Sequence, residues 1–186
     1  MQSATSTSFG SQTNGKVTAL DSSLDALAQK SYGELESLYR ISRSPKSIRA
    51  LDGEPKGRML AARFVSRTPA GALLRGFAAS SLFVWDGKSF ASRSDEEGTG
   101  INRLQVPGAL GRQKLFPFHT RFGNSGIDGQ RAFVLDYDLP ENPIWIRKIH
   151  DEVREVSPGL FFGPAMWKGQ SGLITVLWFA LDTGRR

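Results

Sequence analysis

The sequence predicts a mainly β fold (α+β), an antiparallel β-barrel of about eight or nine strands with an N-terminal helix and one late helix packed on the barrel. Two observations carry this. From Gly57 onward, short apolar segments are separated by Gly, Asp and Asn turn signals at regular spacing. Helical apolar spacing is confined to one early and one late segment, so the strand–helix alternation of a parallel sheet is missing.

The elements follow in order. Residues 1–18 are rich in Ser, Thr, Gly and Gln and predict a disordered tail, with residues 19–186 forming a single barrel domain. Asp21, Ser22 or Ser23 can cap a first helix, in which Leu24, Leu27, Ala28, Leu35, Leu38 and Tyr39 recur at helical spacing. Gly33 weakens it locally, and Pro45 marks a boundary before the strands. Residues 58–66 and 73–84 carry strand character on either side of Thr68-Pro69-Ala70-Gly71. Asp86-Gly87 signals a hairpin, 101–106 a short strand and 107–114 a loop. In 115–122, Phe116, Phe118, Thr120 and Phe122 alternate onto one face, and Asp128-Gly129 turns the chain into 131–137.

Asn142-Pro143 is a helix-start signal, an N-cap followed by proline at the first helical position. Ile146, Ile149, Val153 and Val156 then form an apolar stripe, which leaves Asp151, Arg154 and Glu155 on a solvated face. Ser157-Pro158-Gly159 ends that helix, and 160–168 with 173–181 close the chain as two strands around Gly169-Gln170-Ser171-Gly172.

Composition narrows the function. The 186 residues are 39% hydrophobic and 23% charged, enough to bury a core without covalent staples. There is no cysteine, which excludes disulfides, thiolate metal sites and a catalytic thiol. No apolar run reaches a membrane span, and the first residues lack the basic and apolar regions of a signal peptide, so a cytoplasmic protein is expected. The net charge is +6 and the pI near 9.9, but the basic residues are scattered, which argues against a nucleic-acid partner. The densest basic stretch, 40–58, could meet an acidic partner. Oligomeric state is not legible.

Small barrels either fill their interior with side chains or leave room for one small ligand. This chain has 12 Phe, 4 Trp and 3 Tyr, many of them on strands, so a small hydrophobic molecule is the expected partner. The candidate ligand-binding residues are Trp85, Lys88, Arg103, Phe118, Phe133, Trp167 and Trp178. Asp136 and Asp138 bracket Tyr137 at a strand end, where two nearby carboxylates can raise one pKa toward neutrality. The bland alternative pairs Asp136 with a basic neighbour such as Arg58 or Arg103. His119 sits opposite Phe116 and Phe118; it points to solvent if those rings line the lumen and inward if they do not. The candidate catalytic set is therefore Asp136, His119 and Tyr137. The two histidines, His119 and His150, have no ligand spacing, so neither a metal nor another cofactor is expected. Nucleophile-elbow, phosphate-loop and dinucleotide fingerprints are absent.

Three patches, LDGEPKGRM (51–59), FVWDGKSF (83–90) and DYDLPENP (136–143), resemble small bacterial lipocalin-like (calycin) domains of the GXWXG/DUF4334 type. In that group a W-x-GK-x-F segment precedes a YD-x-x-P-x-x-D/N segment. Gly57 has no Trp two positions on, so the lipocalin G-x-W is not reproduced. The resemblance implies a calycin-type barrel with an internal apolar pocket and brings no established activity. Three functions stay open: a binder of a small hydrophobic molecule, a cofactor-independent enzyme (cyclase, isomerase or hydratase type) in the same cavity, and an interaction module with a basic surface.

Overall fold

A computed structural model describes residues 23–62, 84–106 and 108–185. The expected tail, the strand residues at 63–66 and 73–83, and the aromatics Phe64 and Phe83 fall outside the described residues. Eight antiparallel strands follow one another around a closed barrel: β1 (Lys56–Ala62), β2 (Val84–Ser92), β3 (Glu97–Val106), β4 (Gly111–Asn124), β5 (Arg131–Asp136), β6 (Ile149–Ser157), β7 (Leu160–Gly169) and β8 (Gly172–Asp182). Closure is made by β1 on β8, from Lys56 opposite Asp182 to Ala62 opposite Leu177. On its other side β1 meets β2 at Lys56 and Gly87.

Alternation along the strands divides the apolar residues between two cores. Inside the barrel, Phe90, Phe118, Phe133, Leu135, Val153, Phe161, Phe179 and Leu181 pack together. Outside, Leu160, Phe162, Trp178 and Ala180 are covered by Leu27, Leu35 and Tyr39 of the N-terminal helical segment. That segment is two helices, α1 (Leu24–Ala28) and α2 (Tyr32–Ile41), where the apolar spacing predicts one. The break is at Ser31, whose extended backbone and side chain start a new helix: its hydroxyl accepts from the Glu34 amide while Glu34 accepts from the Ser31 amide.

The late helix is short. Only Ile146–Lys148 is helical, a single 3-10 turn, and the expected continuation through Val156 is strand β6. The apolar pattern explains the difference. Ile149 and Val153 are four apart, a spacing that puts them on one side of a helix and equally on one face of a strand. Val156 lies three further on, so in a strand it faces the other way, and it packs in the outer core. Hydrogen-bonded partners on both sides, β5 and β7, then decide for strand. β7 comes so close that a Cβ on Gly163 would fall 1.8 Å from the Glu152 carbonyl oxygen. The second correction is at Asp86-Gly87, which is not a hairpin. β2 runs through it, with a bulge against β3 and Gly87 at φ 115°.

Candidate functional site

At one end of the barrel the interior is hollow. A cavity of about 270 Å³ lies between walls made by Leu60, Leu104, Phe116, Ile149, Trp167, Leu177 and Phe179. Four polar side chains reach it: Lys88 from β2, Asn102 from β3, Tyr137 just after β5 and Asp151 from β6. Each is set inward by strand alternation, and each is at least nine-tenths buried.

The four form one network. Lys88 Nζ donates to Asn102 Oδ1 at 2.8 Å, to Tyr137 Oη at 2.5 Å and to Asp151 Oδ2 at 3.0 Å. Tyr137 Oη donates to Asp151 Oδ2 at 3.0 Å. Asn102 Nδ2 donates to Tyr137 Oη and to the Phe116 carbonyl, each at 3.2 Å, while its Oδ1 also accepts from the Trp85 indole at 3.1 Å. The rings of Trp85, Phe118, Tyr137 and Phe179 surround the ammonium, with centroids 5.1–5.4 Å from Nζ. Burial pushes the Lys88 pKa down, partly offset by Asp151, and pushes the Tyr137 hydroxyl up, reinforced by the same carboxylate. Asp151 Oδ1 is buried and has no hydrogen-bond partner among the described residues.

Phe116 supplies both a wall and an acceptor, and it holds φ at 60°, the one positive φ at a non-glycine residue among those described. It sits where β4 bulges against β3, between Leu115 opposite Asn102 and Pro117 opposite Ile101. A bulky side chain in that region is strained, and such strain concentrates at binding and switch sites.

Of the residues named from the sequence, Trp85, Lys88 and Trp167 line the cavity and Tyr137 belongs to the network. Phe118 and Phe133 pack in the filled part of the barrel. The other four lie elsewhere. Trp178 is in the outer core beneath the helices, against Tyr32, Tyr39 and Phe162. Arg103 is buried outside the lumen, donating to the Pro55 and Asp86 carbonyls. His119 is exposed, with its neighbour Phe118 inside. Asp136 pairs with Lys168 at 2.9 Å and Arg121 at 3.9 Å, partners other than Arg58 or Arg103, while Asp138 pairs with Arg147. Partial burial raises the Asp136 pKa, but the hydrogen bonds from Lys168 and the Asp138 amide, with the charges of Lys168 and Arg121, together hold the carboxyl below its usual range. Sequence reasoning missed Asn102 and placed Asp151 on a solvated face, whereas the strand buries it against Lys88. Asp151 was legible only if residues 149–153 were read as a strand, because Ile149, Asp151 and Val153 then share a face.

A second buried cluster occupies the outer face of β6, correcting the solvated reading of Arg154. Arg154 makes a two-pronged pair with Asp128, both bonds at 2.7 Å, and donates to the Tyr39 carbonyl. Glu152 accepts from Tyr39 Oη, the Gly126 amide and His150 Nε2 at 2.8–2.9 Å. No group of three or more His, Cys, Asp or Glu able to hold a metal occurs among the described residues. No helix there is long and apolar enough to cross a membrane.

No protein-family model matches the chain. It is similar to the human protein Phosphatidate phosphatase LPIN3, with 30% identity over 86 residues that cover 39% of this chain and 10% of that protein. The chain thus spans about a tenth of that relative's length. A crystal structure of a protein from Thermomonospora curvata is similar over 82% of this chain and 87% of its own, with 18% identity and a TM-score of 0.48. The barrel assignment stands on this chain's own strand pairing.

Proposed function

We propose that the protein binds a small, predominantly apolar molecule inside the barrel, in keeping with a lipocalin-like role. The supporting observation is the cavity itself: apolar and aromatic walls around a small, preorganised set of polar groups, the composition typical of ligand sites. A filled barrel would serve an interaction module equally well, and here the interior is hollow at one end. The test is native mass spectrometry of protein from its own host against the denatured chain, together with displacement of a hydrophobic fluorophore. Recovery of a small apolar mass, and loss of fluorophore binding in Ala165→Phe, is the expected result. Ala165 lines the cavity, so a ring there fills it. A folded Ala165→Phe that takes up the fluorophore as the parent does would sink the reading.

A second reading has its own observation. Lys88 carries a lowered pKa beside Tyr137 and Asp151, a combination able to move a proton on a bound molecule without a cofactor. Deuterium taken up from D2O by the recovered ligand, and absent with Asp151→Asn, would establish catalysis. Equal uptake with and without protein would leave binding alone.

A further inference from the structure

We infer that Phe116 sets the size of molecule the cavity accepts, and that Asn142, which does not line the cavity, is the residue that positions it. The inference rests on the cavity reading above and deepens it. Phe116 is the extra residue of the β4 bulge, and two things oppose its φ of 60°. One is its own bulk; the other is Pro117, since the residue before a proline is pushed toward extended backbone. A conformation disfavoured twice persists only where the surroundings over-determine it. Here the surroundings are two buried asparagines. Asn102 Nδ2 donates to the Phe116 carbonyl at 3.2 Å. Asn142 Nδ2 donates to the Pro117 carbonyl at 2.7 Å and to the Tyr137 carbonyl at 2.8 Å, tying the bulge to the chain just after β5. The sequence offers Asn142 as a helix cap, yet the 3-10 turn at Ile146–Lys148 has no side-chain cap. The Asn142 amide instead holds backbone on two neighbouring strands, in a side chain buried from competing water.

What the strain secures is the place of the ring. Phe116 lines the cavity and meets Trp145 edge-on, with ring centroids 5.7 Å apart. A regular extended backbone at this position would remove the bulge and turn the side chain away from that wall.

The experiment titrates linear alcohols of increasing length into the parent protein, Phe116→Gly and Asn142→Ala by calorimetry. Affinity should rise about fourfold per methylene while the chain is still being buried, and level off once the cavity is full. Phe116→Gly should move that limit to a longer alcohol. Asn142→Ala should move it the same way, although it deletes no part of the cavity wall. Joined to Phe116→Gly, it should move the limit no further. Stability gives a second readout. Glycine accepts this φ, so Phe116→Gly should show a higher urea midpoint than Phe116→Ala, the reverse of the usual order in a strand. An unchanged length limit in either single variant would overturn the inference and leave the cavity reading standing, as would a Phe116→Ala at least as stable as Phe116→Gly. If Asn142→Ala does not fold, the glycine–alanine order and the Phe116→Gly length limit decide. Absence of alcohol binding by the parent, with no fluorophore uptake, would sink the cavity reading and this inference with it.

Discussion

Strand β6 carries two buried ion clusters on opposite faces, and they are built differently. On the outer face, Arg154 is fixed by both oxygens of Asp128 and by backbone carbonyls, and Glu152 accepts three bonds. Those side chains tie α2, the 125–130 turn and the barrel wall together. On the inner face, Lys88, Tyr137, Asn102 and Asp151 are just as buried, but they line a cavity rather than tying elements of the fold together. A buried cluster with every group satisfied works as a clamp. One whose polar groups line an apolar cavity has the composition of a ligand site.

The sharpest way to break the comparison is Arg154→Ala. Removing one partner of a buried pair leaves Asp128 uncompensated, and about 3–5 kcal/mol should be lost in urea unfolding. A loss below about 1 kcal/mol would show that the outer cluster is no clamp. Lys88→Met should cost a similar ~3 kcal/mol by stranding Asp151, but here the second substitution separates the two faces. Lys88→Met with Asp151→Leu should recover to within about 1 kcal/mol of the parent, since apolar replacement of a buried pair is often neutral or stabilising. That double variant should still take up a hydrophobic fluorophore, because the apolar walls of the cavity are unchanged. A double variant as unstable as the single one would mean that the inner network also holds the fold.

Acid provides a gentler probe. Hydrogen bonds from Arg154 hold Asp128 below the usual carboxylate range, and for Glu152 the bonds from His150, Ser125, Gly126 and Tyr39 outweigh the opposing effect of burial. Both folded pKa values are depressed, so this stability is present above the ordinary carboxylate pKa of about 4 and is lost as pH falls through the folded values. The urea midpoint should therefore drop in that acid window. The drop should be smaller in Arg154→Ala, where Asp128 no longer has the partner that lowers its pKa; an unchanged drop would remove the clamp from the explanation. The smallest effect is expected at Glu36→Ala. It breaks an exposed helical pair with Arg40 and should cost ~0.3–0.5 kcal/mol, diminishing with salt.

Legibility followed the range of the interactions. Turn residues at Asp128-Gly129 and between β7 and β8, the clean alternation around Phe116 and Phe118, and the absence of strand–helix repetition were local signals, and they sufficed for the barrel. Trp85 and Trp167 could be proposed for the cavity because aromatics on strands suit a lumen, yet the same reasoning named Trp178, which faces outward. Parity along β8 distinguishes the two faces: Leu177 and Phe179 point in, Trp178 and Ala180 out. That parity becomes usable only when a strand's inner face is known.

By itself, then, the sequence determined the mainly antiparallel architecture, the lack of thiol chemistry and the supply of aromatics for an interior. It could not choose between helix and strand for residues 149–156, because a four-residue apolar spacing satisfies both periods. Tertiary structure made that choice by offering β5 and β7 as hydrogen-bonding partners on both sides. The same choice sent Asp151 inward to Lys88, 63 positions earlier in the chain, and Arg154 outward to Asp128. The network that defines the site is thus a consequence of barrel closure, which brings distant residues to one point and withdraws them from water.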